Sequence, residues 1–308
     1  MTTLRPWFRL FRLPNLLTVP GDPLAGFLLA TAGSVERPQW IPLLSAMGAS
    51  FFLYLFGLAV NDIIDIECDR AERPDRPLPA GEITLPQARM AAIAAALSGL
   101  NVALFAGKSA LIVAALLAAT ILLYNAKLKD RRVVGALAMG ACRGWSLLIG
   151  VAAAKPEWFL QGPTFHAVPA VIAAVGLTLY VAAFTNLARH ETDHEKPMGF
   201  LRWLPFLVLL IALPCVITVT TALKQTVGVA PTVFVFLMCM SLMRAWLLGG
   251  PLYRLQEMPA IIGGYIRNLL MVQACLCVAC GVAGLWPAMT LLLLFTVFPR
   301  LMRSYYSS

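Results

Sequence analysis

Long apolar runs recur along the whole chain and restrict its fold more than any other feature. The runs are long enough to cross ~30 Å of hydrocarbon as helices, and they do not alternate polar with apolar residues. The chain is 60% hydrophobic and 13% charged, whereas soluble domains are ~25% charged. Inside lipid every backbone amide must be satisfied internally, so only helices or closed barrels can span it. The sequence therefore predicts an all-α, polytopic membrane protein.

We predict about nine membrane-spanning helices in one domain that covers residues 1–308. Their approximate bounds are 15–33, 41–61, 86–106, 109–126, 134–154, 166–186, 203–222, 230–249 and 266–286. The apolar run 289–298 is too short for a separate span, and the pattern does not place it. Three arginines precede the first run and no small-residue cleavage site follows, which indicates a retained first helix rather than a signal peptide.

The net charge of +9 is distributed in a way that indicates membrane topology. With the N-terminus inside, 17 of the 24 Lys and Arg residues fall on inside segments. This positive-inside bias explains the basic composition without a nucleic-acid partner. Arg300 and Arg303 do not fit it, because nine spans would leave the C-terminus outside.

Residues 57–83 interrupt the apolar pattern with four aspartates and three arginines. Asn61, Asp65 and Asp69 are spaced i, i+4, i+8, which places them on one face of a helix. Clustered carboxylates at a membrane surface repel one another, so a positive group should lie among them. Oxygen ligands without His or Cys suit Mg²⁺, which usually completes its shell with substrate phosphates. The alternative is a solvated acidic loop that caps a transmembrane helix.

A second acidic cluster follows the sixth predicted span, within residues 185–196. It contains Glu191, Asp193 and Glu195. Both clusters follow even-numbered spans, so both face the same side of the membrane. Arg73 and Arg76 each precede a proline that stiffens the loop after the first cluster, and basic residues beside a carboxylate–metal cluster can bind a polyanion. With the basic segment 124–132 on the same side, the pattern indicates a metal–diphosphate site.

These residues resemble the UbiA superfamily of intramembrane prenyltransferases. The first signature of that family is N-x-x-x-D-x-x-x-D followed by R-x-x-R-P-L-x-x-G. This chain matches it with Asn61, Asp65, Asp69, Arg73, Arg76, Pro77, Leu78 and Gly81. The tyrosine–lysine element after the fourth helix is matched by Tyr124, Leu128 and Lys129. Residues 124–150 and 13–30 are most similar to a bacterial branch, the EboC-like proteins, which implies a bacterial inner-membrane protein with its site toward the cytoplasm.

The resemblance implies that Mg²⁺ bound by the acidic motifs holds the diphosphate of a polyprenyl donor. The apolar tail lies among the helices, and ionisation of the C–O bond gives an allylic carbocation that an acceptor captures. The implied metal ligands are Asn61, Asp65, Asp69, Glu191, Asp193 and Glu195. Arg73 and Lys129 would bind the diphosphate. Tyr124 either faces the cation or diphosphate, or is an interfacial belt tyrosine. The sequence does not identify the acceptor.

One departure from the family pattern concerns the second motif. Arg189 or His190 stands where the family has its first aspartate. We therefore expect the second cluster to bind metal more weakly than the first, with Arg189 meeting the diphosphate directly. The rival interpretation is that Glu191 and Glu195 replace the missing ligand fully.

Two further residues are candidates near the acceptor. Arg143 lies within the fifth predicted span, where a charge is a functional candidate by default. It either contacts the acceptor or the diphosphate, or pairs with Asp22 of the first helix. Asn15 either lines the acceptor pocket or caps that helix.

Two other functions are compatible with the sequence. Without an acceptor, the same site would act as a UbiA-type terpene cyclase. A non-catalytic transporter or lipid carrier is the third reading, because broken helices and intramembrane charges occur in transporters. Both acidic clusters, however, lie on one side rather than near the midplane of the membrane.

Overall fold

The structure is a computed structural model that describes residues 4–32, 39–160, 164–188, 199–223, 228–250 and 258–306. Within these ranges the chain forms helices and turns and no strand, which confirms the predicted all-α class. The α-helices are α1 (Arg5–Leu10), α2 (Leu13–Leu16), α3 (Gly21–Thr31), α4 (Trp40–Ile64), α5 (Ile66–Glu72), α6 (Leu85–Ala106), α7 (Lys108–Leu123), α8 (Arg132–Ala154), α9 (Glu157–Leu160), α10 (Val168–Ala188), α11 (Leu204–Ala222), α12 (Ala230–Leu248), α13 (Met258–Val278) and α14 (Leu285–Tyr306).

Eight helical segments of the described ranges are long and apolar enough to cross a membrane. They are built on α4, α6, α7, α8, α10, α11, α12 and α13. The chain is therefore an integral membrane protein, and the expected count of about nine is close. The differences lie at the two ends of the chain.

The first predicted span is a broken helix. Residues 13–31 form α2 and α3, and α3 has only 11 residues. Pro20 occupies the N-cap of α3, followed directly by Gly21, and Arg12 has a positive φ of 45°. Proline and glycine interrupt the helix here. The first predicted span is therefore two short helices rather than one continuous helix.

The last apolar run belongs to α14, a 22-residue helix. The ninth predicted span therefore ends earlier, at Val278, and a turn at Gly281 precedes the new helix. Arg267 Nε of α13 donates to Phe295 O of α14 at 2.9 Å, so α14 runs back along α13. The apolar run 289–298 ends before Arg300 and Arg303, and hydropathy alone therefore made it too short for a span. The helix α14 nevertheless continues through these arginines, which lie near its C-terminal end. This return carries the C-terminal arginines to the end of the bundle where α13 begins.

Close helix contacts at glycines position the interior. A Cβ atom at Gly26 would collide with the carbonyl of Leu147, and one at Gly150 would collide with the carbonyl of Pro23. Small residues allow membrane helices to approach this closely. The contact of α3 with α8 therefore holds Asp22 next to the middle of α8.

The loop after the first acidic motif is anchored at its C-terminal end. Arg9 Nη1 of α1 donates to Glu82 Oε1 at 2.9 Å. At the start of α6, the Thr84 N–H donates to Gln87 Oε1 at 2.9 Å, and the Gln87 N–H donates to Thr84 Oγ1 at 3.4 Å. This reciprocal capping box satisfies two backbone N–H groups of the first turn. The anchored loop holds Arg76 against the end of α4.

Candidate active site

The first acidic motif lies at the junction of α4 and α5. Helical backbone hydrogen bonds run through the junction, from Asp65 N to Asn61 O at 3.0 Å and from Asp69 N to Asp65 O at 2.8 Å. Asn61 Nδ2 donates to Asp65 Oδ2 at 3.1 Å. The i, i+4 spacing therefore places the motif on one helical face, as the sequence predicted.

Two cations of the chain contact the oxygens of this motif. Lys129 Nζ donates to Asn61 Oδ1 at 3.2 Å and also contacts Asp65 Oδ2. Arg76 Nη1 donates to Asp69 Oδ2 at 2.6 Å. The positive group expected among the carboxylates is thus supplied by side chains of the protein itself. Carboxylate and amide oxygens of this kind are the ligands that a hard metal ion such as Mg²⁺ prefers.

Asp62 is a further buried carboxylate of this end that the spacing argument left out. Its side chain is only 7% exposed. Asp62 Oδ1 lies 3.4 Å from Arg12 Nη2 and 3.8 Å from Arg76 Nη1. Arg76 therefore joins Asp62 to Asp69. The expected clamp, Arg73, is exposed at the C-cap of α5 and makes no hydrogen bond or ion pair with the acidic side chains of the described residues. Its predicted role in diphosphate binding stays a prediction.

A π-helical turn, Tyr124–Leu128, delivers Lys129 to the motif. Lys129 N donates to Tyr124 O at 2.8 Å, which is the i to i+5 bond that closes the turn. Single π turns often occur at functional sites because they re-aim side chains. Here Tyr124 and Asn125 are both buried against the interior.

These elements surround a cavity of about 340 Å³. Its polar end is lined by Asn15, Asn61, Tyr124 and Asn125. Apolar residues of five helices form much of the rest, including Leu58, Leu117, Ile121, Val181 and Ile266. Asn15, Asn61, Tyr124 and Arg143 were predicted site residues, and the structure brings all four to this cavity.

Arg143 lies on the cavity wall in a buried polar network. Its Nη1 is 2.9 Å from Asp22 Oδ2, an ion-pair distance without hydrogen-bond alignment, and its Nη2 donates to Thr18 Oγ1 at 2.6 Å. Gln273 Nε2 donates to Asp22 Oδ1 at 2.6 Å. The expected pairing of Arg143 with Asp22 is therefore present, and the residue also faces the cavity. A contact with the acceptor stays a prediction.

Asn125 lines the cavity but was not among the site residues that the sequence predicted. Its Nδ2 donates to Ile121 O at 2.9 Å, while its buried Oδ1 has no hydrogen-bond partner in the described part of the chain. An unsatisfied buried acceptor is costly unless a ligand or water supplies a donor. The asparagine beside Tyr124 was visible in the sequence, but only a π turn points it inward.

The second acidic motif lies outside the described residues. Arg189, Glu191, Asp193 and Glu195 all fall in 189–198. The last residue of α10, Ala188, and its neighbour Thr185 line the same cavity as Asn61. Among the described residues alone, no group of three or more His, Cys, Asp or Glu side chains is arranged to hold a metal ion. The motif therefore begins directly after a residue that lines the cavity.

The model of the UbiA prenyltransferase family matches residues 23–256, about three quarters of the chain. This chain belongs to the UbiA prenyltransferase family. The resemblance predicted from the two motifs is confirmed. The match includes the first acidic motif, the π-helical turn and Arg143.

Two curated relatives of this UbiA family member are archaeal synthases. A digeranylgeranylglyceryl phosphate synthase of Methanoculleus marisnigri is 32% identical over 162 residues, which are 53% of this chain and 56% of that protein. The synthase of Methanocaldococcus jannaschii is 32% identical over 155 residues, 50% of this chain and 54% of that protein. The chain thus spans about half the length of the curated relatives it matches.

Solved structures share the fold. One described as digeranylgeranylglyceryl phosphate synthase in membranes has a TM-score of 0.65 at 21% identity, covering 93% of this chain and all of that one. A UbiA homologue from Archaeoglobus fulgidus, bound to GPP and Mg²⁺, has a TM-score of 0.56 at 15% identity, covering 87% of this chain and 99% of that one. These likenesses confirm a UbiA-type helical bundle.

Proposed function

We propose that this protein is a membrane prenyltransferase that transfers a polyprenyl group from a polyprenyl diphosphate to an acceptor. The observation that carries the proposal is the cavity, whose polar end at Asn61 and Tyr124 continues into an apolar interior. A diphosphate fits the polar end beside Lys129, and a prenyl chain fits the apolar remainder. Family membership supports the same activity.

The donor set fits Mg²⁺. Asn61, Asp65 and Asp69 offer hard oxygen ligands at the polar end, and the Archaeoglobus homologue binds Mg²⁺ together with GPP. The ligand set would be completed by Glu191, Asp193 and Glu195. When bound, Mg²⁺ supplies positive charge that stabilises the leaving diphosphate.

Basic residues of the chain act on the same leaving group. Lys129 and Arg76 now neutralise Asp65 and Asp69, so both cations are already held at the polar end. Turning toward the diphosphate oxygens, they stabilise negative charge that develops as the C–O bond breaks. Arg73 and Arg189 are the further candidates for this contact.

The cavity wall protects the allylic carbocation. Its apolar lining excludes water that would otherwise capture the cation. Tyr124 lies 7% exposed on the wall, where its ring face can stabilise a nearby cation. The carbocation then reacts with the acceptor, which gives up a proton on bond formation.

An acceptor that carries a hydroxyl group fits this cavity. Asn125 Oδ1 is buried without a hydrogen-bond partner among the described residues, so it calls for a hydrogen-bond donor. The archaeal relatives are named synthases of a prenylated glyceryl phosphate, which agrees with a hydroxyl-bearing acceptor.

The positive-inside charge bias supports a cytoplasmic site, because the acidic motif follows a span that ends inside. The resemblance to the EboC-like branch favours a bacterial inner membrane. The archaeal origin of the curated relatives leaves that assignment as part of the proposal.

Lipid mass spectrometry tests the function. Lipids from cells with and without the gene should differ by one prenylated compound, and the wild-type gene should restore it. The Lys129→Met gene should not restore this compound. The matched control, Lys127→Met at an exposed lysine of the same turn, should restore it. A missing cyclic hydrocarbon would instead indicate a terpene cyclase. Unchanged lipid composition would contradict the proposed transferase.

A further inference from the structure

Two arginines outside the cavity lie on one phenylalanine ring. The guanidinium carbon of Arg267 is 4.0 Å from the ring centroid of Phe295, and that of Arg244 is 4.9 Å from it. Both distances end at the same centroid, so both guanidinium groups lie against the same ring. Cation–π contact orders the two groups but leaves their like charges uncompensated.

Neither guanidinium has a carboxylate partner within the described ranges. Arg267 Nε donates to Phe295 O at 2.9 Å, whereas Arg244 Nε is buried without a hydrogen-bond partner among the described residues. Two neighbouring cations in a membrane-spanning region are costly unless an anion joins them. The described residues therefore supply the pair with no anion, and a negative group from elsewhere would offset its charge.

The surroundings of the pair indicate which anion can reach it. Arg244 lies one turn before the end of α12, and Arg267 lies on α13, which begins on the same side. Met243 and Leu247 adjoin Arg244 on the surface of α12 and are 56% and 69% exposed, so Arg244 lies beside a lipid-facing surface. Trp246 stacks near Trp203 with ring centroids 4.2 Å apart, and such tryptophans are typical of the membrane interface.

We propose that Arg244 and Arg267 bind the phosphate group of an anionic phospholipid at this lipid-facing surface. Guanidinium groups bind phosphate through paired, charge-assisted hydrogen bonds. Arg244 lies one turn before the end of α12, where a long arginine side chain can extend along the helix toward the headgroup level. Phe295 contacts both guanidinium groups, so a phosphate group beside the ring can accept hydrogen bonds from them. The site is separate from the cavity, because neither arginine lines it.

Native mass spectrometry of the detergent-purified full chain tests the proposal. Phosphatidylglycerol and phosphatidylcholine with the same acyl chains are titrated separately. The wild type should bind phosphatidylglycerol preferentially. Arg244→Gln and Arg267→Gln should each weaken it about tenfold, as expected for loss of a charge-assisted hydrogen bond. Arg89→Gln, at an exposed arginine in the first turns of α6, is the matched control and should bind as the wild type does.

Two further binding measurements complete the test. If a Gln variant does not fold, Phe295→Leu retains both charges but removes the ring that orders them, and it should also weaken phosphatidylglycerol binding. Inorganic phosphate alone should bind weakly, because it lacks acyl chains that pack on the exposed face of α12. Equal binding of the two lipids, unchanged binding by the arginine variants, or binding of inorganic phosphate without phosphatidylglycerol would each overturn the proposal. Binding is measured without turnover, so failure here is independent of the prenyltransferase proposal.

Discussion

Removing either partner of the Arg143–Asp22 pair should destabilise the protein strongly, and removing both charges should not. The side chains are 10% and 0% exposed, and the guanidinium also donates to Thr18. Arg143→Gln leaves the Asp22 carboxylate buried with Gln273 and Ser146 as its remaining polar contacts. Breaking a buried ion pair on one side costs about 3–5 kcal/mol. Asp22→Asn should cost a similar amount because it leaves a buried guanidinium unpaired.

The double variant Asp22→Asn/Arg143→Gln removes both charges and keeps amide groups that can hydrogen-bond. We expect it to recover at least half of the stability lost in the single variants. Unfolding of the detergent-solubilised protein in increasing SDS, followed by circular dichroism, measures the three free energies. A double-mutant coupling near zero, or single variants as stable as the wild type, would refute the reasoning. Prenyl transfer by the stable double variant then reports whether Arg143 also contacts the acceptor.

Three other predictions concern the polar end. Arg76→Gln should lower turnover more than Arg73→Gln, because Arg76 contacts Asp69 while Arg73 is exposed; steady-state kinetics showing the reverse order would restore Arg73 as the main clamp. Asp65→Asn should reduce turnover more than Asp193→Asn, and Arg189→Ala should raise the KM for the prenyl diphosphate; equal losses with a silent Arg189→Ala would favour full replacement by Glu191 and Glu195. Single cysteines placed at Ala80 and Met198 in a cysteine-free background should react with a membrane-impermeant reagent from the same side, and opposite-side labelling would rule out a shared site.

Periodicity and hydropathy were sufficient to predict the helical class. The long runs of α4, α6 and α8 have no charges except at their ends and at Arg143, so both length and composition indicated spanning helices. The ends of the chain were harder. The 22-residue α14 contains too short an apolar core to be recognised by hydropathy, and its pairing with α13 depends on a tertiary contact. That the whole chain forms one domain stays a prediction.

Regular spacing predicted part of the candidate site. Asn61, Asp65 and Asp69 share a face because the helical hydrogen-bonding pattern continues through the α4–α5 junction. Asp62 lies off that spacing and becomes part of the site only because Arg12 and Arg76 fold over it. Asn125 was equally hidden, since an ordinary α-helix would not have the i to i+5 bond that turns it inward. Such residues depend on loops and irregular turns, which a periodic pattern does not describe.

Mg²⁺-dependent turnover of a polyprenyl diphosphate is the most direct measurement of the central claim. The purified protein is incubated with radiolabelled polyprenyl diphosphate and a membrane lipid extract as the acceptor source, and prenylated product is counted. The wild type should form product with Mg²⁺ and none in excess EDTA, and Asp65→Asn should reduce the rate at least tenfold. Glu67 is an exposed carboxylate two residues after Asp65 that pairs with Arg70. Glu67→Gln should retain the wild-type rate. Full product formation in EDTA, or an Asp65→Asn rate equal to that of Glu67→Gln, would contradict the account.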